Sequence, residues 1–401
     1  MTTTLASGTA RRAPACAART GDDALVAAIA GLGAARSRRR SGRIGARPAR
    51  VVALVPAHNE QASIGIALDS LVGQTRRPDL VVAIPDNCTD DTAAVVTARG
   101  DTLVRASVGN TDKKAGALNQ TLEVLLPLLR DDDAVLVMDA DSALDPGFVA
   151  GALARLGTEK DGKTIGGVGG TFRGGPGGGF VGMLQRNEYA RYARDVNRLK
   201  GKVLVLTGTA AIFQVRVLRA VVAARRSGAL PGGVPAVYDT HVLTEDNELT
   251  LALLHLGYAI LSPKDCVLET EIMTTWRDLW KQRVRWKRGA LENLVDYGFT
   301  RVTARYWGRQ VFTHLGVLVT GAYLVSLIWS LLLAGTIHLH PVWMSVTLIY
   351  MAERVVSVRA RGRLQMLFAA PLIVEMAFDF FLQAAQIKAF WDTVTHKERN
   401  W

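Results

Sequence analysis

The sequence predicts an α/β fold: a parallel sheet flanked by helices, then an amphipathic helical region, then C-terminal transmembrane helices. Three observations predict it. Compact β-branched runs alternate with helical patterns from residue 51 to residue 138, as strands joined by helical crossovers do. Acidic residues, Asp86 and the pair Asp139 and Asp141, stand at the ends of two of those runs, where open parallel sheets bind ligands. Beyond residue 310 the chain carries apolar runs of bilayer length.

The first strand covers 51–55 and leads into Pro56-Ala57-His58-Asn59-Glu60, with a helical pattern over 61–73. The second buried strand covers 80–85 and ends at Asp86. Asp90 opens the next helix, because a carboxylate is favourable at a helix N-terminus. A strand over 102–107, a helix over 113–129 and a strand over 134–138 complete the repeat. Residues 166–182 are rich in glycine but lack the Gly-Lys-Ser/Thr that closes a phosphate-binding loop, so they read as strand plus flexible loop. A short strand over 203–206 precedes Thr207-Gly208-Thr209. The segment 276–297 is amphipathic and rich in Trp, Arg and Lys. Such a helix can lie in a membrane interface, with Trp276, Trp280 and Trp286 near the headgroups.

Residues 311–337 contain no acid and no lysine; at about 1.5 Å per residue they exceed a hydrocarbon core of about 30 Å. Residues 342–358 form a second candidate span, interrupted by Glu353 and Arg354, and 364–390 a third. The third holds Glu375, Asp379 and Gln383 on one face. Acids in a membrane helix face protein or water, so this segment reads equally as a half-buried or re-entrant helix. Basic residues in 301–309 and 354–363 place both flanks on the cytosolic side, which makes the first two spans a hairpin.

At 401 residues the chain has room for two or three structural units. With 49% hydrophobic and 21% charged residues, it suits a soluble domain joined to a few membrane helices better than a transporter. The net charge of +12 favours nucleic acid, anionic lipid or a polyphosphate-bearing substrate. No homeodomain, zinc-finger or RNA-recognition signature is present, so no nucleic-acid partner is expected. The three cysteines, Cys16, Cys88 and Cys266, form neither a disulfide framework nor a metal-binding pair, which suits a reducing cytosolic setting. Ten arginines in the first fifty residues face only Asp22 and Asp23. Residues 1–49 therefore read as a disordered basic tail with at most one short helix, or as a tail held against anionic lipid.

The motifs carry a definite chemistry. Breaking a bond to a diphosphate leaves growing negative charge, which a divalent cation and cationic side chains stabilise. Asp139-Ala-Asp141 after an apolar strand offers the carboxylates that Mg²⁺ takes together with phosphate oxygens. Direct displacement with inversion needs a base to take the proton of the attacking hydroxyl. Asp246 in Thr244-Glu245-Asp246 is the candidate, with Glu245 second; the competing reading is an acidic N-terminus for a helix running to 256. Arg283, Arg285, Lys287 and Arg288 surround Trp286. Arginine contacts phosphate bidentately, and an indole face packs on a pyranose ring. Interfacial anchoring is the alternative for that patch.

The ordered set Asp86, Lys114, Asp139-Ala-Asp141, Thr244-Glu245-Asp246 and Gln282-x-x-Arg285-Trp286 resembles that of membrane-bound family 2 glycosyltransferases of the GT-A fold. The processive cellulose, hyaluronan and poly-N-acetylglucosamine synthases belong to that group. The resemblance covers residues 50–300 and implies a GT-A nucleotide-sugar-binding sheet. It also implies a role for each matching residue. Asp86 contacts the uracil base, and Lys114 the nucleotide. Ala57 and Glu60 lie in the first donor-binding segment. Asp141 holds Mg²⁺ or Mn²⁺, with Asp139 on the nucleotide side. Asp246 is the catalytic base. Gln282 and Arg285 bind the diphosphate. Thr207, Gly208, Thr209 and Thr244 lie toward the acceptor, and Trp286 forms its platform.

The expected organisation is a tail over 1–49, a catalytic domain over 50–272, interfacial helices over 273–308 and two to three membrane helices over 309–401. The expected function is inverting, metal-dependent transfer from a UDP-sugar, UDP-N-acetylglucosamine or UDP-glucose, to a growing β-linked polysaccharide. The expected place is the plasma membrane, multi-pass, with the catalytic domain cytoplasmic. Two alternatives stay open: transfer of one or a few sugars to a lipid-linked acceptor, and a non-catalytic nucleotide-sugar-binding subunit. The large synthases carry membrane helices before the catalytic domain, and none is evident here. A homo-oligomer or an accessory membrane subunit would then complete a polymer channel.

Overall fold

The computed structural model describes residues 15–38, 49–334, 341–371 and 373–398. In chain order the first half comprises α1 (Ala15–Arg38), β1 (Val51–Ala57), α2 (Ile64–Val72), β2 (Leu80–Pro85), α3 (Thr92–Thr97), β3 (Leu103–Val104), α4 (Lys113–Leu125), β4 (Ala134–Met138), β5 (Ser142–Leu144), α5 (Phe148–Leu153), β6 (Glu159–Lys160), β7 (Lys163–Gly169) and β8 (Thr171–Gly174). Then follow α6 (Gly179–Arg198), β9 (Ala210–Gln214), α7 (Val215–Arg226), α8 (Glu245–His255), β10 (Ala259–Leu261), β11 (Val267–Thr270), α9 (Trp276–Tyr297), α10 (Ala304–Trp329), α11 (Pro341–Val358), α12 (Arg363–Ala369) and α13 (Ile373–Val394).

The main sheet runs β10-β7-β9-β4-β1-β2-β3, with β6 paired on β7. Strands β4, β1, β2 and β3 run parallel to one another. Alternate side chains leave opposite faces of each strand. Val52, Leu54, Val82, Ile84, Val135 and Val137 enter one core with α4, α7 and α8. Val51, Ala53, Val55, Val81, Ala83 and Leu136 enter a second core with α2 and α5. Both faces are covered, so these strands read as unbroken apolar runs.

Some expectations need correcting. The sheet is mixed, not parallel, because β9 pairs antiparallel with both β4 and β7. The segment 203–206 is not a strand, and the glycine-rich stretch is a loop only up to Gly178, where α6 begins.

The disordered tail is in part a helix. Leu25 and Ile29, four residues apart on one face of α1, are buried in the first core. Arg105 Nε donates to Asp22 at 2.7 Å and anchors the same helix. Residues 1–14 and 39–48 of that expectation lie outside the described residues.

As for the expected transmembrane helices, among the described residues no helix is long and apolar enough to cross a membrane. In α11 and α13 the charges turn onto α6. The buried Glu375 accepts from Arg191 at 2.6 Å and from Asn187 at 3.1 Å, and Arg194 pairs with Glu353 at 2.9 Å. Arg354 bridges Asp379 at 2.6 Å. Helix α9 also meets protein at its start, where Trp276 and Trp280 lie 5.1 and 5.5 Å from the Phe381 ring of α13.

Candidate active site

Strands β1, β2 and β4 are parallel, so their last residues share one edge of the sheet. Asp86, just past β2, donates its N–H to Ala57 O at 2.8 Å. Its carboxylate accepts from Asn110 Nδ2 at 2.9 Å and from Ser107 Oγ, which fixes its direction at the sheet edge. Glu60 follows β1, its carboxylate held by Ser63 Oγ.

Just past β4, Asp139 donates its N–H to Thr209 O at 3.0 Å and draws the 207–209 loop beside the Asp-x-Asp motif. Within that loop the Thr207 and Thr209 hydroxyls lie 2.9 Å apart. Asp139 forms an ion pair with Lys114 Nζ, which also donates to Gly208 O at 3.2 Å and lies 3.4 Å from Glu245. Asp141 accepts from Ser142 Oγ at 3.0 Å.

Asp246 sits in the first turn of α8, with Thr244 as N-cap. Its Oδ2 accepts the Gly208 N–H and its Oδ1 the Asn247 N–H, each at 2.8 Å. The acidic helix N-terminus and the oriented carboxylate are therefore one feature. Lys114, Thr207, Gly208, Glu245, Asp246 and Tyr238 line one small cavity of about 10 Å³, room for about one water.

The electrostatics follow from packing this many acids together. Burial and the neighbouring Glu245 raise Asp246 to about 6, against the pull of Lys114 and the two N–H donors. Burial raises Asp139 to about 6 as well, opposed by Lys114 and reinforced by Asp141. Burial raises Asp141, and the charges of Glu60 and Glu271 add to that. For Lys114, burial alone would favour the neutral amine; Asp139, Glu245 and Asp246 reverse this and hold it charged.

The remaining sequence candidates lie on α9, capped by Thr275, which accepts the Asp278 N–H at 3.1 Å. Gln282 Oε1 is buried with no hydrogen-bond partner among the described residues. Arg285 is exposed, and its charge is felt at Lys113 beside Lys114. Arg283 is committed elsewhere: it pairs with Glu188 at 2.8 Å and lies over the Trp286 ring at 4.6 Å. Lys287 donates to Gln386 and Arg288 pairs with Glu292. Arg285 is the exposed member of the cationic patch.

Sequence reasoning missed Glu271, Tyr238 and Asn293. Glu271 directly follows β11, so the strand-end rule that finds Asp86 and Asp139 also applies to it. Tyr238 and Asn293 belong to no motif, and only the fold brings them to the site.

A divalent cation fits this donor set. Every candidate ligand is a carboxylate oxygen, the preference of a hard cation. Among the described residues no group of three or more His, Cys, Asp or Glu side chains is arranged to hold a metal. Asp139 and Asp141 would then supply the protein's share of such a site, with a ligand's phosphate oxygens completing the shell, as Mg²⁺ sites allow.

A sheet with its acids at the carboxyl edge, a cationic lysine and an oriented aspartate define a group-transfer site. The family model described as glycosyltransferase like family 2 matches residues 48–289, and the chain belongs to that family. It is 25% identical over 282 residues to the poly-beta-1,6-N-acetyl-D-glucosamine synthase of Staphylococcus aureus, covering 68% of this chain and 63% of the relative. It is 27% identical over 250 residues to a Bacillus subtilis protein named as a probable glycosyltransferase, YdaM, covering 60% and 55% respectively. The chain therefore spans less than two thirds of the length of these curated relatives. The structure of a mannosyltransferase from Pyrobaculum calidifontis in complex with GDP-Man and Mn²⁺ is similar at 20% identity and a TM-score of 0.49, covering 94% of this chain and 99% of that one.

Proposed function

We propose that the protein is an inverting glycosyltransferase of the GT-A type that moves a sugar from a UDP-sugar to a growing β-linked polysaccharide. One observation carries the reading: Asp246 is held by two backbone N–H groups beside the Lys114–Asp139 ion pair. A carboxylate raised to about 6 is a better proton acceptor than a free aspartate and is still ionised at neutral pH.

In this reading Asp139 and Asp141 hold Mg²⁺ or Mn²⁺, which supplies charge stabilisation to the leaving diphosphate. Lys114, Gln282 and Arg285 bind the donor's nucleotide and phosphates; the partnerless buried Gln282 Oε1 gains a hydroxyl or amide donor when the site fills. Asp86, Ala57 and Glu60 hold the base and ribose end. Thr207, Gly208, Thr209, Thr244 and Trp286 form the acceptor side. The S. aureus relative's name supports N-acetylglucosamine as the first donor to test.

The protein works at the cytosolic face of the plasma membrane. Val311, Phe312, Leu318 and Val319 on α10 are 60–74% exposed, an apolar surface suited to lipid. The test is UDP release from a panel of UDP-sugars with Mg²⁺ or Mn²⁺, followed by sizing of the product. A long β-linked chain supports the proposal, and a short glycolipid moves the acceptor to a lipid. UDP binding with no turnover on any acceptor makes the chain a binding subunit.

A further inference from the structure

The two halves of α9 face different partners. The first carries Gln282, Arg285 and Trp286; the second presses on the turn that presents Asp246. Asn293 is fully buried. Its Nδ2 lies 3.1 Å from Thr244 O, 3.2 Å from Thr244 Oγ1 and 3.0 Å from Asn247 Oδ1. One turn earlier, a Cβ on Gly289 would fall 2.4 Å from Thr244 Oγ1, so the helix backbone approaches that side chain as only glycine permits. One turn later, the Tyr297 hydroxyl donates to Glu248 at 2.6 Å.

Gly289, Asn293 and Tyr297 are four residues apart and form one stripe on the helix. The stripe grips Thr244, Asn247 and Glu248, which bracket Asp246 in sequence. Asn247 supplies one of the two N–H groups that orient the Asp246 carboxylate. Asn293 Oδ1 is itself buried with no hydrogen-bond partner among the described residues.

We propose that Asn293, backed by Gly289, is a positioning residue for sugar transfer: it fastens the Thr244–Asn247 turn to α9, so that Asp246 keeps its orientation to the helix carrying Gln282, Arg285 and Trp286. The proposal rests on Asp246 as the base. Asn293 is fully buried and Gly289 faces Thr244, so both act through the turn that carries Asp246. Loosening their grip leaves every catalytic group present but misaligned, and misplacement of about 1 Å is enough to cost rate.

The test measures kcat and donor KM separately in the full chain, using the UDP-sugar that the unaltered protein turns over. Asn293→Leu keeps the volume and removes the donor; Gly289→Ala forces the same contact apart from the helix side. Both are expected to lower kcat about 10- to 100-fold with donor KM changed by less than about threefold. Asn293→Ser, which keeps a hydroxyl donor, is expected to recover part of the loss, and it carries the test if Asn293→Leu does not fold.

In an Asp246→Asn background neither substitution should lower the residual rate further, because residues acting through one group are not additive. Native kcat in folded Asn293→Leu, with Asp246→Asn inactive, would overturn this proposal and leave the base assignment standing. An equal further loss in the Asp246→Asn background would overturn it too, by marking a general structural part. Full turnover in Asp246→Asn would remove the base and this proposal together.

Discussion

The backbone N–H of Gly208 donates to Asp246 Oδ2 at 2.8 Å, and the carbonyl of the same glycine accepts from Lys114 at 3.2 Å. One peptide segment therefore sets the spacing between the candidate base and the lysine that faces Asp139. A Cβ on Gly208 would stand 3.3 Å from both Asp246 Oδ2 and Lys114 Nζ, so alanine crowds both contacts at once. Gly208→Ala is expected to lower kcat about 10- to 100-fold with little change in melting temperature, read from steady-state UDP release and a thermal melt.

The rate should depend on pH through Asp246. A base acts only when unprotonated, and Asp246 is raised to about 6. Activity should therefore be flat above that pH and fall as pH drops through it. A kcat profile at saturating donor and metal checks this; a flat rate down to pH 4.5 contradicts it.

Lys114 is the counter-charge for three acids. Lys114→Met leaves Asp139 and Asp246 without their counter-charge, so these two carboxylates hold their protons more tightly. The acidic limb of the profile should move up by about 1 to 3 pH units, and donor KM should rise. The same profile, repeated on the variant, measures both.

Strands β1, β2 and β4 and the acids after them are legible in sequence because burial on both faces and strand-end placement are local signals. The course of β9 is not, since its antiparallel pairing with β4 and β7 depends on the route the chain takes through α6. Helix α6 hides behind the Gly175-Pro176-Gly177 turn signal, and its ion-pair partners Glu353 and Glu375 lie far along the chain. Glu375 and Arg191 meet across 184 positions, so an acid that reads as an oddity in a membrane helix is one half of an ion pair. Asp246 is legible by motif, whereas Asn293 becomes significant only when α9 is laid beside α8.

That ion pair predicts a stability effect. Glu375 is 1% exposed and takes Arg191 at 2.6 Å. Glu375→Ala takes the carboxylate from the half-buried Arg191 and from the buried Arg354, 3.5 Å away, and should cost about 3–5 kcal/mol, read by denaturant unfolding. Because the pair joins α13 to α6, protection of α13 from proteolysis should be lost in the same variant.

The most direct test of the account is UDP release from a UDP-sugar by the native chain and by Asp246→Asn, each with Mn²⁺ and with the metal chelated. The account predicts turnover in the native protein with metal, none on chelation, and a loss of about 100- to 10,000-fold in Asp246→Asn with nucleotide binding retained. Turnover at the native rate in Asp246→Asn would contradict it.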